Sequence, residues 1–128
     1  MSKETVRTDR APAPFQGAPY SQGIVFGDLV FVSGQLGIDP QTGDVVEGGI
    51  GPQTERTLAN VRAVLEEADS RMENILQVSI FLVDLGDFAA MNEVYAGIIG
   101  EPFPARATVQ IGALPSGARI EIAVVAHR

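Results

Sequence analysis

The chain reads as an α+β sandwich in which five or six strands form a mixed sheet and two helices pack on one of its faces. Two observations predict this. Five runs read as strands and two longer runs repeat apolar residues with the period of a helix, and the helices interleave with the strands instead of following them. Two helices on one face leave the other uncovered. That open face is expected to carry Phe31, Ser33, Arg106 and Glu121, and a large, partly apolar, uncovered face calls for a partner.

Residues 1–13 are polar, of mixed charge and punctuated by Pro12, with Pro14 just beyond, which predicts a flexible tail ahead of one domain over residues 14–128. Residues 20–26 and 29–36 read as strands, and Gly27-Asp28 between them suits a two-residue hairpin turn. Asp-Pro-Gln-Thr-Gly at 39–43 is a turn, and Gly48-Gly49 lies in a loop. Gly51-Pro52 opens a helix, with proline in the first turn, and Leu58, Val61, Leu65 and Ala68 follow at helical spacing. Leu76, Val78, Ile80 and Leu82 alternate with Gln77, Ser79, Phe81 and Val83, the pattern of a central strand. Asp87 is placed to cap a second helix whose buried stripe is Phe88, Met91, Tyr95, Ile98 and Ile99, and which Gly100 and Pro102 stop. Residues 106–112 and 119–127 complete the sheet. No internal repeat or low-complexity tract is present.

A chain of 128 residues with 45% hydrophobic and 20% charged residues is sized and composed for one globular domain with a real core. The formal net charge of −7 repels phosphate backbones. There are no cysteines, which removes disulfides, thiolate nucleophiles and thiolate-bound zinc. No run approaches the ~20 apolar residues of a membrane span, and the first ten residues lack the apolar centre of a secretory signal. A cytoplasmic protein is expected.

The candidate chemistry lies in the last third. Along a strand, Arg106, Thr108 and Gln110 share one face while Val109 and Ile111 take the other. Glu121 shares a face with Arg119 and Ala123, opposite Ile120, Ile122 and Val124. The planar guanidinium of Arg106 grips a carboxylate through two parallel hydrogen bonds, in a way lysine does not reproduce. Glu121, flanked by isoleucines, is a carboxylate able to serve as acid or base. The plain alternatives are a surface ion pair, even one between Arg106 and Glu121 themselves. Tyr20 and Ser33 read as packing or surface residues and Gly34 as a bulge or a point of close approach. Asn92 reads as a helix-surface amide. Ser33 has no histidine to activate it, so it is not a nucleophile. The single histidine, His127, is next to last and builds no metal site. Glu66, Glu67 and Asp69 form a solvated helix end. Gly48-Gly49-Ile50-Gly51 lacks the lysine of a phosphate loop.

Five blocks in order carry a resemblance: Tyr20-Ser21-Gln22-Gly23, Val32-Ser33-Gly34-Gln35, Met91-Asn92-Glu93-Val94-Tyr95, Pro104-Ala105-Arg106-Ala107-Thr108-Val109, and Gly112-Ala113-Leu114-Pro115 leading into Ile120-Glu121-Ile122. From about Ala18 to the C-terminus the chain resembles the RidA/YjgF family of reactive-intermediate deaminases. Thr108 stands where many relatives have cysteine, Ala107 replaces a frequent serine, and the connection from the second helix to Arg106 is short. The resemblance implies a chorismate-mutase-like fold, a homotrimer with clefts between subunits, and hydrolysis of 2-iminopropanoate or 2-iminobutanoate to the 2-keto acid and ammonia. These imines arise from enamines released by pyridoxal-phosphate enzymes, so the role is detoxification of reactive metabolites. It further implies that Arg106 binds the substrate carboxylate with the Thr108 backbone N–H, that Glu121 handles water, that Tyr20, Ser33, Gly34 and Asn92 line the cleft, and that no metal or other cofactor is used. A sensor that binds a small keto acid without turnover is the alternative. RNA cleavage, the third reading, is opposed by the net charge, the missing histidine pair and the lack of a basic stripe.

Overall fold

The computed structural model describes all 128 residues. The strands are β1 (Glu4–Val6), β2 (Gly23–Phe26), β3 (Leu29–Leu36), β4 (Ile75–Leu82), β5 (Ala105–Gln110) and β6 (Ile120–His127), and the helices are α1 (Ile50–Glu67) and α2 (Phe88–Ile99). They form one six-stranded sheet in the order β1-β2-β3-β6-β4-β5. Only the β4–β5 pair is parallel, and the other neighbours are antiparallel. The mixed sheet with two helices is the expected α+β architecture.

Alternation along the strands decides which face is buried. Val30, Val32, Val78, Ile80, Leu82, Ile120, Ile122 and Val124 project to one side and are buried. They meet Leu58, Val61, Val64 and Leu65 of α1 and Met91 and Tyr95 of α2 in a single core. Each such side chain contributes roughly 1.5–3 kcal/mol relative to exposure, so this face fixes the register of the whole sheet. The opposite face has no layer over it. Ile24, Phe31, Val125, Gln77 and Ala105 stand in one cross-strand row, and Glu121, Phe81 and Val109 in another. Phe31 and Val109 are among the large apolar side chains left exposed there. No helix is long and apolar enough to cross a membrane.

Four details differ from the sequence reading. Residues 1–13, expected as a flexible tail, include the edge strand β1, and Val6, Thr8 and Ala11 are buried. The reason is Gln22, itself buried. Its side-chain oxygen accepts from Thr8 N–H at 2.7 Å, and its amide nitrogen shares its two hydrogens among the carbonyls of Thr8, Ala11 and Pro12 at 2.9–3.1 Å. Leu76 is exposed instead of joining Val78 and Ile80, because the β4–β6 register slips between Ile75 and Gln77 and Ile75 takes the buried place. Asp87 makes no capping bond. Arg119 holds its buried carboxylate by two bonds of 2.6 and 3.0 Å, while Asp84 accepts from Gly86 N–H ahead of the helix. Val109 faces the open side of the sheet and Arg106 the helix side, the reverse of the expectation.

Removing the Gln22 amide leaves the backbone groups of Thr8, Ala11 and Pro12 without their partner. Gln22→Ala is expected to lower stability by about 1–3 kcal/mol. It should also speed amide hydrogen exchange over residues 4–11 ahead of the rest of the sheet. Unchanged exchange in that segment would show that β1 holds by its strand pairing alone.

Candidate active site

The seven site residues expected from sequence fall into two groups on different parts of the molecule. Tyr20, Ser33, Gly34 and Glu121 line one cleft of about 680 Å³, together with Phe15 and Pro115. Arg106, Asn92 and Thr108 lie at the seam between α2 and β5.

The first group is organised by an irregularity in β3. Its pairing with β6 shifts between Val32 and Gln35, so Ser33 and Gly34 leave the regular ladder where Glu121 passes. A Cβ built on Gly34 would stand 2.6 Å from the Glu121 carboxyl carbon. Only glycine lets that carboxyl lie against the strand backbone. Glu121 has no ion-pair partner in the chain, and burial pushes its carboxyl above the usual glutamate value of 4.5. Ser33 donates its hydroxyl to the Ser21 carbonyl. Tyr20 lines the cleft, and its hydroxyl accepts from the Phe15 N–H at 2.7 Å, tying down the segment that forms the cleft's rim.

The second group sits under α2. In the parallel β4–β5 pair, Arg106 registers with Val78 and Thr108 with Ile80, both fully buried on the helix side. Arg106 therefore points toward α2. Its guanidinium carbon lies 4.9 Å from the Tyr95 ring centre and 5.6 Å from that of Phe88. It has no carboxylate partner in the chain. Asn92 Oδ1, Tyr95 OH and Thr108 Oγ1 are buried without a hydrogen-bond partner. Burial pushes the Tyr95 phenol above its usual 10.0, and the Arg106 guanidinium, through its charge and its closeness to the hydroxyl, pulls it back, although the pair does not meet the geometry of a well-formed hydrogen bond. Native proteins leave few polar atoms in this state, so three of them on α2 and β5 call for an explanation.

Glu121 registers with Phe81 on the open face, so Arg106 and Glu121 project from opposite faces of one sheet. The expectation that both stand on the open face is corrected, and their pairing within one chain is ruled out by the pleat. Sequence reading placed Tyr95 and Phe88 only in the buried stripe of the helix. The signal for their second role was their spacing: Tyr95 follows Asn92 by three residues, hence on the same side of α2.

The six-stranded mixed sheet with two helices on one face belongs to a known class of small α+β proteins. The family described as Endoribonuclease L-PSP matches residues 8–128. A RutC family protein of Pyrococcus abyssi is 44% identical over all of this chain and 99% of its own length. The 2-iminobutanoate/2-iminopropanoate deaminase of Capra hircus is 37% identical over 98% of this chain and 90% of its own. The crystal structure of E. coli TdcF with bound serine superposes with a TM-score of 0.92 at 36% identity, covering 98% of both chains. The chain belongs to this family, the RidA/YjgF family of reactive-intermediate deaminases.

The raised Glu121 pKa has a consequence for stability. The folded state holds this proton more tightly than the unfolded state, so the contribution is full below 4.5 and is lost as pH rises through the elevated folded value. Glu121→Gln removes that loss. Thermal melts of both proteins between about pH 4 and about pH 8 should therefore show the wild type falling relative to the variant as pH rises. A gap of the opposite sign would mean that a guanidinium from another copy pairs with Glu121.

Proposed function

We propose that the protein hydrolyses 2-imino acids, 2-iminopropanoate and 2-iminobutanoate among them, to the 2-keto acid and ammonia. The observation that carries this reading is an arginine fork with no carboxylate of its own, held against α2 on the strand and helix that also carry three buried polar atoms without partners. Arg106 binds the substrate carboxylate through two charge-assisted hydrogen bonds, with the Thr108 backbone N–H beside it and Asn92 lining the site. Glu121 orients a water and takes its proton as the oxygen bonds to the carbon of the protonated imine, giving a neutral carbinolamine. It returns that proton to the amine nitrogen, and the C–N bond then breaks as the carbonyl forms, the hydroxyl proton passing to the departing ammonia. The Gly34 carbonyl accepts from the imine nitrogen, and Tyr20 and Ser33 shape the wall. Imines hydrolyse readily, so positioning supplies much of the rate. These steps use no metal and no organic cofactor. The names of several relatives and the serine bound to TdcF support a small amino-acid-like ligand.

The chain acts as a homotrimer in this reading. Arg106 and Glu121 stand on opposite sheet faces, so a cleft that needs both takes one from each of two copies, and the exposed apolar face supplies the surface that copies bury. The absence of cysteine suits a cytoplasmic setting. The net charge of −7 weighs against RNA as the substrate.

Ammonia release from freshly generated 2-iminobutanoate, measured against the spontaneous rate, tests the activity. A protein that binds 2-oxobutanoate but adds nothing to that rate is a sensor. Arg106→Ala removes a charge-assisted contact of about 1.5–3 kcal/mol and should lower kcat/KM by at least about tenfold, with little recovery in Arg106→Lys. Sedimentation should give about three times the 13.5 kDa protomer mass. Arg106→Ala and Glu121→Gln, each inactive alone, should regain roughly a quarter of the wild-type rate when unfolded and refolded together in equal amounts, because mixed assemblies contain some clefts with both residues intact. No recovery in mixed assemblies would place both residues' work within one chain and sink the shared cleft.

A further inference from the structure

Arginine has a long, flexible side chain and would sample many orientations unless something holds it. No carboxylate holds Arg106. Two aromatic rings stand against it instead, and they differ in character. Phe88, at 5.6 Å, is 40% exposed. Tyr95, at 4.9 Å, is 4% exposed and sits in the main core one turn beyond the fully buried Met91. A ring fixed in the core is a rigid surface, and a desolvated cation–π contact is the stronger kind. A cation–π contact draws on the charge of the guanidinium and needs none of its N–H donors. The Tyr95 hydroxyl makes no well-formed hydrogen bond in the chain, though it lies within reach of the Arg106 guanidinium, so ring face and hydroxyl are two separable ways for this side chain to act on the arginine.

Resting on the deaminase reading above, we propose that Tyr95 is the positioning residue of the site: its ring face, rather than its hydroxyl, holds the Arg106 guanidinium in the orientation that receives a carboxylate. A salt bridge in that place would spend the fork that the ligand needs. A ring orients the same cation without competing for its hydrogens, and lysine, lacking a plane, gains no orientation from it.

The test combines calorimetric titration of 2-oxobutanoate with NMR of arginine-labelled protein. In the wild type the Arg106 Nε–Hε resonance should lie upfield, shifted by the ring current of Tyr95. Tyr95→Phe should keep that shift and bind 2-oxobutanoate within about twofold of wild type, while Tyr95→Leu should lose the shift and bind about tenfold more weakly. In an Arg106→Ala background, Tyr95→Leu should cost no further affinity, which separates positioning from general damage to the core. If Tyr95→Phe loses as much affinity as Tyr95→Leu, the hydroxyl is the working group and the proposal is overturned. An unshifted Arg106 resonance in the wild type overturns it without any variant having to fold. A shifted resonance in a protein that binds no 2-oxobutanoate removes the deaminase reading and leaves the aromatic clamp standing.

Discussion

The burial of one face of β4 and β6 under α1 and α2 is the constraint on which the remainder of the molecule rests. Val78, Ile80, Leu82, Ile120 and Ile122 are essentially inaccessible, and a one-residue slip in either strand would turn all of them into solvent. The register this imposes is unforgiving to neighbours. Arg106 and Thr108 pair with Val78 and Ile80, so they inherit the helix side, and Glu121, between Ile120 and Ile122, inherits the other. The core thus decides which charged group can meet which. It keeps a cation and an anion of the same chain apart, and so leaves each without the partner that would neutralise it.

The two groups are then held in unlike surroundings. Arg106 rests on π faces, which stabilise a cation without engaging its hydrogens. Glu121 rests against the backbone of a glycine, partly desolvated, which disfavours its charge and raises its affinity for a proton. A group kept charged and directional is suited to binding. A group whose charge is made costly is suited to moving a proton. The division of labour follows from the environments, since both side chains alone would pair readily.

Much of this was legible in the sequence. The alternation of Val78, Ile80 and Leu82, the proline and helical spacing of α1, and the Gly27-Asp28 hairpin each follow from local rules, and each element formed. The ordered blocks around Arg106 and Glu121 pointed to the family. What escaped is non-local. Polarity marked residues 1–13 as a tail because the four hydrogen bonds from Gln22 join residues ten or more positions apart. Leu76 fits the strand period and is displaced only by a register slip against β6. Asp87 has the chemistry of a cap, but Arg119, far along the chain, competes for its carboxylate at closer range. The side of the sheet taken by Arg106 was undecidable from β5 alone, where Val109 is as apolar as any core residue. The parallel pairing with β4 settles it.

The edge position of β5 gives the arrangement its logic. An edge strand under a helix offers a place where a side chain can be anchored on its buried flank and still reach past the rim of its own chain. Asn92 Oδ1 and Thr108 Oγ1, on the helix and the edge strand, are buried yet unbonded, a state that costs free energy. The open face is costly in the same way, with Phe31 and Val109 in water. Both costs fall on the chain by itself, and in the shared-cleft proposal one event, the approach of a second copy with a ligand between them, would relieve both. A chain folded as this one is has its structural incompleteness and its chemical capacity in one place.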